Sequence, residues 1–276
     1  MIVASTRVRS ERSEAENRPL VAALEERGAS ARVEPWDAED AVAGWSAADL
    51  VAVRTTWDYS ARREEFLAWA ARVTGVTTLQ NPLSVLEWNS HKRYLVELAE
   101  AGVPVVPTRL VPHGSTPEPL GPGRLVVKPA VSAGGRGTYR GLGPELEETL
   151  AELAAAGDAL VQPAVESIDG DGEVSLIRLG GRWSHAVRKF PPAGGFLVHE
   201  RHGGRLEDHE PTPREREVAD AALACSPAPV HAARVDLVRV DGEPVVMELE
   251  LIEPELFLRR APEAAGLLAD ALLATL

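Results

Sequence analysis

The sequence has a single cysteine, Cys225, among 276 residues. An internal disulfide is therefore impossible, and one chain cannot build a zinc site from several thiolates. This fits a reducing cytoplasm, where we expect the protein to work. Long apolar runs are also missing, because no stretch of about 18 uncharged apolar residues occurs, and Arg7 and Arg9 interrupt the start where a signal peptide would need an apolar core. We expect neither export nor a membrane-spanning segment.

Basic residues are outnumbered, with 29 lysines and arginines against 42 aspartates and glutamates, for a net charge of −13. This balance argues against a general nucleic-acid or anionic-membrane surface, although a local basic pocket remains compatible with it. Any phosphate site must therefore be built locally. The hydrophobic fraction of 45% and the charged fraction of 26% are ordinary for a folded enzyme and exclude disordered, collagen-like and coiled-coil classes.

The first eighty residues alternate short apolar runs with stretches of helical period. Strands are predicted at residues 1–5, 30–34 and 49–53, and helices at 11–27 and 62–73. Because strand, helix and strand follow one another, this unit predicts a small parallel sheet. It ends at Asn81-Pro82.

The remaining sequence mixes strands and helices without a simple alternation. A helix at 91–101 and a connection rich in proline and glycine at 112–123 lead into it. Further strands are predicted at 125–128 and 159–162, helices at 145–156, 214–224 and 262–276, and hairpins at 174–188 and 234–251, with a loop at 196–209. The fold class is α/β, with an α+β second half.

The run 245–251 carries the sharpest chemical signal. Side chains alternate along a strand, so Glu248 and Glu250 share one face at about 7 Å spacing. Met247, Leu249 and Leu251 then fill the other face. An edge strand with a solvated acidic face would show the same pattern.

A third carboxylate, Asp236 on the preceding strand, joins this pair in only one hairpin register. A simple two-residue turn would pair Asp236 with Met247 and point it at the core. A bulge or a longer loop would pair it with Glu248 instead, and Pro244 makes such an irregularity plausible. Three carboxylates on one face would repel one another without a cation, and oxygen ligands favour Mg²⁺ or Mn²⁺ over zinc.

A glycine-rich loop at 132–138 follows a strand that ends near Lys128. Its glycines allow successive N–H groups to turn inward as an anion nest, and the lysine adds a positive charge for a phosphate. A plain hairpin turn explains the same glycines, and the loop matches neither the P-loop nor the dinucleotide-binding pattern. Together with Lys92 and the carboxylates, however, it supplies what a Mg²⁺-nucleotide needs.

In this combination the chain resembles the ATP-grasp ligases. The resemblance spans residues 82–260 and rests on Lys92, VVKP at 126–129, the loop at 132–138, LVQP at 160–163, GE at 172–173 and MELE at 247–250. Within the superfamily, WDY at 57–59, SHAVRK at 184–189 and ELELIEP at 248–254 look most similar to the branch of the D-cycloserine-pathway cyclo-ligase, with glutathione-synthetase-like enzymes as wider relatives. The resemblance implies a preATP-grasp domain at 1–81, an ATP-binding subdomain with its linker helix at 82–165, and a metal-binding subdomain at 166–276.

The resemblance also implies how the nucleotide and metal are held. Nucleotide contacts fall to Lys92, Lys128, Ser132, Gly134, Gly135, Arg136, Gly137, Gln162, Val165 and Glu173. The lysines would contact phosphates, the loop would close over the triphosphate, Gln162 and the backbone through Val165 would meet adenine, and Glu173 would meet the ribose. Asp236, Glu248 and Glu250 would hold two Mg²⁺ ions. The last of these three metal ligands is usually asparagine in this superfamily, so Glu250 adds a negative charge.

The implied reaction is carboxylate–amine ligation driven by ATP. ATP would phosphorylate a substrate carboxylate, an amine would attack the acyl phosphate, and ADP and phosphate would be released without a protein nucleophile. Arg234 and Lys128 are the catalytic candidates, with Arg234 as a clamp on the phosphoryl group, although a structural ion pair is its alternative. The substrates would be a small carboxylate and an amine, with cyclisation as one possible outcome, and a homodimer is common among such proteins.

Substrate residues are predicted at the carboxyl end of the third strand, where α/β sheets tend to bind ligands. Arg54 could hold a carboxylate and Asp58 an ammonium group, which suggests an amino-acid-like substrate. Alternatively, Trp57 and Tyr59 are packing residues beside an Arg54–Asp58 ion pair.

Three further positions complete the predicted substrate set. Arg188 and Lys189 are either substrate cations or a solvated strand end, and Glu253 lies within the ELELIEP segment. The histidines at 199, 202 and 209 have a composition typical of a metal site but no tight ligand spacing, which favours an exposed loop.

Two other functions share these features. One is an ATP-binding regulator or scaffold without ligase activity. The other is a Mg²⁺-dependent phosphohydrolase that uses the same carboxylates.

Overall fold

The strands form three sheets in the computed structural model, which describes residues 1–38, 41–198 and 203–276. The first sheet contains β1 (Ile2–Ser5), β2 (Arg32–Pro35), β3 (Leu50–Thr55) and β4 (Thr78–Gln80) in the parallel order β2-β1-β3-β4. Its helices are α1 (Glu11–Glu25), α2 (Ala41–Ser46) and α3 (Arg63–Thr74), with a 3₁₀ turn at Tyr59–Ala61. The predicted parallel sheet is confirmed. The sequence reading missed β4 because three residues are too few to show a period.

A cluster of aromatic side chains packs beside this first sheet. Trp36 meets Phe66 edge to face at 5.5 Å, and Trp45 meets Trp69 at 5.6 Å. All four rings are buried. Such offset and edge-to-face pairs stabilise a core beyond the area they bury, so this cluster fixes α3 against the strands.

The second sheet is antiparallel and carries the glycine-rich loop. It contains β5 (Arg109–Val111), β6 (Arg124–Pro129), β7 (Tyr139–Leu142) and β8 (Ala159–Pro163) in the order β5-β8-β6-β7, covered by α6 (Gly143–Ala156). The short helices α4 (Leu83–Asn89) and α5 (Tyr94–Glu100) precede it. The helix predicted from residue 91 begins later, at Tyr94, after a turn in which the N–H of Leu95 bonds to the carbonyl of Lys92 three residues before it.

The third sheet is also antiparallel, in the order β11-β10-β9-β12-β13. Its strands are β9 (Glu173–Leu179), β10 (Arg182–Phe190), β11 (Arg205–Asp208), β12 (Ala232–Val240) and β13 (Glu243–Glu250). Three helices accompany them, α7 (Ile168–Asp171), α8 (Pro213–Ala224) and α9 (Pro262–Leu273). Part of the loop predicted at 196–209 is therefore a strand, since β11 pairs with β10. Residues 199–202, which include His199 and His202, lie outside the described residues.

A bulge at Met247 sets the register between β12 and β13. Val240 pairs with Glu243, as a two-residue turn requires, and yet Asp236 pairs with Glu248. Both pairings hold because the register shifts by one residue between Asp236 and Leu237. The bulged register is confirmed, and the alternative in which Asp236 faces the core is wrong.

The C-terminal helix α9 packs on α1, so the last and first helices of the described chain share one core. Leu20 and Leu24 of α1 belong to it, as do Leu268 and Leu272 of α9. Each sheet falls within one of the three predicted segments, and we retain that domain division as a proposal. No helix in the described part of the chain combines the length and the hydropathy that a membrane crossing would need.

Asn81 joins the first sheet to the third, and its loss should destabilise the fold. Its buried amide donates to the carbonyls of Ala232, at 2.9 Å, and Leu251, at 2.6 Å, and accepts from the N–H of His231 at 2.7 Å. Asn81→Ala leaves these buried groups without partners, so urea unfolding should show a loss of about 2–4 kcal/mol. Replacement of the exposed Glu118 by alanine is the control. An equal effect of both changes would contradict the assignment.

Candidate active site

Two cavities meet beneath the glycine-rich loop. The first cavity lies between the second and third sheets. It is lined by many of the predicted nucleotide residues, namely Lys92, Lys128, Ser132, Gly134, Gly135, Gln162, Val165 and Glu173. The second cavity shares Ala133, Gly134 and Val198 with the first. A ligand in one cavity would therefore lie next to a ligand in the other.

The three predicted metal carboxylates lie where the cavities meet. Asp236 and Glu248 line the first cavity and Glu250 lines the second. One carboxylate oxygen from each lies within 4.8 Å of the others. Such a cluster of hard oxygen donors suits a divalent cation like Mg²⁺.

Cationic side chains surround Asp236. Arg234 grips it with a fork, its Nε 3.0 Å from Oδ1 and its Nη2 3.0 Å from Oδ2. The Nζ of Lys189 lies 3.2 Å from Oδ2, and the Ser175 hydroxyl donates to Oδ1. Burial alone would raise the pKa of Asp236, but Arg234 and Lys189 outweigh it and hold the pKa well below its ordinary value. This carboxylate therefore stays ionised.

The other two carboxylates differ from Asp236 and from each other. Glu248 pairs with Lys92 at 3.0 Å, and although burial opposes ionisation, Lys92 and Lys128 lower its pKa. Burial raises the pKa of Glu250 to about 7 despite its contact with Arg234, and the nearby Glu248 adds to the shift. Glu250 is thus the carboxylate that gains most from a bound cation.

The two predicted phosphate lysines lie on the wall of the first cavity. Lys92 donates to the carbonyl of Ser132 at 2.6 Å, which ties the glycine-rich loop to the helical segment before it. Lys128 is buried, and this burial lowers its pKa to about 8. An anionic ligand would offset the desolvation of both ammonium groups.

The glycine-rich loop closes over both cavities and reaches the first sheet's domain. Gly134, Gly135 and Gly137 have φ values of 62°, 74° and 67°, a left-handed conformation that favours glycine. Arg136 donates from Nη2 to the Ser60 hydroxyl at 2.6 Å. The loop therefore spans the mouth of the site, and its backbone conformation depends on the glycines.

Two other residues of the first cavity have fixed partners, and a third, Met247, was predicted to lie on the wrong face of its strand. Gln162 donates to the Thr108 hydroxyl at 2.9 Å, and Glu173 forms an ion pair with Lys189. Met247 was predicted to fill the core face, but the bulge turns it into the first cavity. It is half-buried there, beside Glu248.

The second cavity holds only part of the predicted substrate set. Trp57 lines it and donates from Nε1 to the carbonyl of Glu253 at 3.1 Å. Glu253 lines it as well, and burial, reinforced by the charge of Glu250, raises its pKa well above the ordinary value. Lys189 also faces this cavity and is buried, so it is not a solvated strand end.

Arg54 and Asp58 lie elsewhere in the structure. Arg54 is 2% exposed and pairs with Glu16 at 3.4 Å, and it lines neither the first nor the second cavity. Asp58 accepts from the Trp36 indole at 2.9 Å and approaches Arg62. Among the described residues, Arg54 and Asp58 form neither the predicted substrate-binding pair nor the alternative ion pair with each other. Each side chain instead has a partner that is distant in sequence.

Tyr59 and Arg188 also depart from the expected positions. Tyr59 packs on Phe66 with ring centroids 5.3 Å apart, and it lines a smaller pocket beside the carboxylates instead of the second cavity. Arg188 lies on the opposite strand face from Lys189 and contacts His209 at 3.0 Å. His209 in turn contacts Glu215 at 2.9 Å and is mostly buried, in contrast to the exposed loop that the sequence suggested.

Three residues of the second cavity escaped the sequence analysis: Arg12, Glu255 and Phe257. Arg12 lies 4.8 Å over the Trp57 ring and pairs with Glu255. Its position after β1 follows the same strand-end rule that drew attention to Arg54, which was the one available signal. The other two lie in the irregular segment that follows β13.

Comparison with known proteins identifies the family. A family model for the N-terminal domain of D-cycloserine synthetase DcsG matches residues 1–81. The cycloserine biosynthesis protein DcsG of Streptomyces lavendulae is 36% identical over 280 residues, covering 92% of this chain and 91% of that protein. The chain belongs to the D-cycloserine synthetase family of ATP-grasp ligases. The predicted superfamily and branch are thereby confirmed.

Solved structures agree with this family assignment. The crystal structure of D-cycloserine synthetase DcsG matches with a TM-score of 0.87 at 33% identity, covering 99% of this chain and 98% of that one. D-Alanine–D-alanine ligase from Bacillus anthracis, complexed with ATP, matches with a TM-score of 0.70 at 17% identity and coverage of 99% and 96%. The ATP-grasp ligase PsnB, complexed with a minimal precursor, Mg and ADP, gives 0.63 at 18% identity and coverage of 99% and 97%. The last two share the fold, and they confirm the predicted α/β ATP-grasp architecture.

The Arg136–Ser60 contact should hold the glycine-rich loop closed in this member of the D-cycloserine synthetase family. Ser60→Ala removes the acceptor, which is worth about 1 kcal/mol, so amide hydrogen exchange across 132–138 should accelerate by about fivefold. Ser115→Ala, an exposed serine change far from the loop, should leave that exchange unaltered. Unchanged exchange in both variants would show that the contact does not restrain the loop.

Proposed function

We propose that this ligase activates the carboxylate of a small amino-acid-like substrate with ATP and closes a C–N bond within the same molecule. The product would be D-cycloserine or a close analogue, with ADP and phosphate released. The name and the 36% identity of the DcsG relative support the choice of product. Opening the ring amide of D-cycloserine by water gives O-amino-D-serine, so that amino acid is the simplest substrate to test.

One observation carries the proposal: the carboxylate cluster lies at the junction of two cavities. ATP in the first cavity would direct its terminal phosphate toward Asp236 and Glu248, and the substrate carboxylate in the second cavity would approach from the side of Glu250. Arg234 and Lys189 line the second cavity at this junction. A phosphoryl group could therefore pass from one cavity to the other between cationic side chains.

The residues present fit Mg²⁺. Asp236, Glu248 and Glu250 offer three oxygen ligands within 4.8 Å of one another. Burial, with a smaller contribution from the charge of Glu248, raises the pKa of Glu250, and a bound cation would offset both. Bound Mg²⁺ would offset the charge of the triphosphate and align it for transfer. The extra carboxylate at position 250 favours tight binding of at least one ion, and two ions are part of the proposal.

The protein's own groups would supply positioning and charge. Lys92 and Lys128 would bind the phosphates, and Gln162, Val165 and Glu173 would line the nucleoside end of the first cavity. Arg234 would stabilise the acyl phosphate, because its guanidinium already lies against the carboxylate cluster. The loop at 132–138 would exclude water, which would otherwise hydrolyse that intermediate.

The substrate would be held by residues other than those first expected. Trp57, Arg12 and Glu253 line the second cavity, whereas Arg54 and Asp58 do not. Arg12 could bind an acceptor group of the substrate and Glu253 an amino group. The amino-acid-like character of the substrate therefore rests on a different pair, the guanidinium of Arg12 and the carboxyl group of Glu253.

ADP release should depend on the amino acid substrate. In an assay with ATP and Mg²⁺, O-amino-D-serine should support ADP and phosphate release together with a ring product detected by mass spectrometry. Glu248→Gln removes a carboxylate oxygen from the metal site, so the rate should fall by at least about 100-fold. Glu243→Gln, on the same strand but exposed and remote from the cavities, is the matched control.

Three results would contradict this function. ATP binding without turnover, across a panel of small amino acids, would favour the regulatory or scaffold alternative. Phosphate release that ignores the added amino acid would favour a phosphohydrolase. Turnover with a linear, intermolecular product would retain the ligase but exclude cyclisation.

ATP affinity should weaken as the pH rises above about 8. Burial lowers the pKa of Lys128 to about 8, so above that pH the free protein presents a neutral amine and must take up a proton to bind the phosphates as a cation. The dissociation constant of ATP, measured by calorimetry, should rise by up to tenfold per pH unit there. Lys128→Arg keeps its charge in this range, so its profile should be flatter. An equal slope in both proteins would assign the effect to another group.

A further inference from the structure

The segment 253–258 forms one wall of the second cavity without being a helix or a strand. Side chains hold its backbone instead. The carbonyls of Glu253, Pro254, Glu255 and Leu256 accept from Trp57, Arg54, Arg234 and His185, respectively. A wall built in this way takes its shape from the side chains that anchor it.

Glu16, on α1, anchors the same segment by accepting hydrogen bonds from two of the segment's backbone N–H groups. Its Oε2 accepts from the N–H of Leu256 at 2.7 Å, and its Oε1 accepts from the N–H of Leu258 at 3.1 Å. The two amides flank Phe257, so both must turn toward one carboxylate. Phe257 accordingly has a φ of 53°, in the left-handed region.

This conformation is unfavourable for phenylalanine by about 1–2 kcal/mol, and it persists only where the surroundings impose it. Two N–H groups converging on one carboxylate are such a surrounding, because they form the kind of concave backbone site that binds anions. The anchor is also rigid. Glu16 is fully buried, and Arg54, which pairs with it, also holds the carbonyl of Pro254.

The result of this geometry is the placement of the Phe257 ring. Phe257 lines the second cavity, and the guanidinium of Arg234 lies 5.9 Å from its ring centroid. The ring therefore borders the place where the acyl phosphate would form. A change in the backbone at 256–258 would move it relative to Arg234.

We propose that Glu16 is a positioning residue for substrate binding, which holds Phe257 in its left-handed conformation and so fixes the wall of the substrate cavity. This proposal rests on the proposed function only in treating the second cavity as the substrate site. It also gives Arg54 a role: Arg54 does not contact the substrate but supports the carboxylate that shapes the site.

The test compares Glu16→Gln, Phe257→Ala and the double variant, with Glu215→Gln as control. Glu215 is another buried helical glutamate that accepts a backbone N–H, but it lies on α8 away from both cavities. Glutamine at position 16 can accept only one of the two amides. The KM for O-amino-D-serine should rise at least tenfold in Glu16→Gln and the KM for ATP should stay within twofold. The double variant should be no worse than Phe257→Ala, because both changes act through one ring.

A crystal structure of Glu16→Gln supplies a readout that needs no substrate. Residue 257 should leave the left-handed region, and its ring should shift relative to Arg234. An unchanged φ at residue 257, or additive effects on KM in the double variant, would overturn the proposal. If O-amino-D-serine gives no turnover, the proposed substrate is wrong, and the crystal structure still decides the role of Glu16.

If Glu16→Gln fails to fold, Phe257→Leu and Phe257→Ala take its place. The KM for O-amino-D-serine should rise progressively as the ring is shortened to leucine and then to alanine, whereas an unaltered KM would overturn the role of the ring.

Discussion

The site depends on one local irregularity in a hairpin, the bulge at Met247. A tight turn between β12 and β13 would by itself send Asp236 to the core side, away from Glu248. The extra residue restores the pairing that gathers three carboxylates, and it also moves Met247 from the core to the first cavity. A single inserted position thus creates the acidic cluster and part of the cavity wall beside it.

Gathering carboxylates requires compensation, which the described chain provides with its own cations. Lys92 contacts Glu248, Lys189 contacts Glu173 and Asp236, and Arg234 bridges Asp236 to Glu250. These cations come from three different parts of the sequence. They offset the repulsion among the clustered carboxylates, and the same positive charges face the junction where an anionic intermediate would form. Stability and the proposed chemistry therefore use one arrangement of charge.

Local periodicity predicted most of the fold. The parallel sheet, the hairpin predicted at 174–188, which is β9 and β10, and the carboxylate-bearing hairpin all follow from alternation and turn residues. The family resemblance located the residues of the first cavity. Short elements such as β4 and β5 carry too few residues for a period. The larger gap in the prediction concerned which side chains pair with each other. Arg54 binds Glu16 and Asp58 binds Trp36, pairings that depend on how distant elements pack and leave no trace in the neighbouring residues.

The packing of α9 on α1 has a consequence for engineering within this family. Residues near the two ends of the described chain share a core, and Arg27 donates to Asp270 across that contact. An exchange of the first 81 residues with a homologue would therefore pack the α9 of one parent against the α1 of another. A chimaera that transplants α9 together with the N-terminal segment would keep both halves of this contact from one parent.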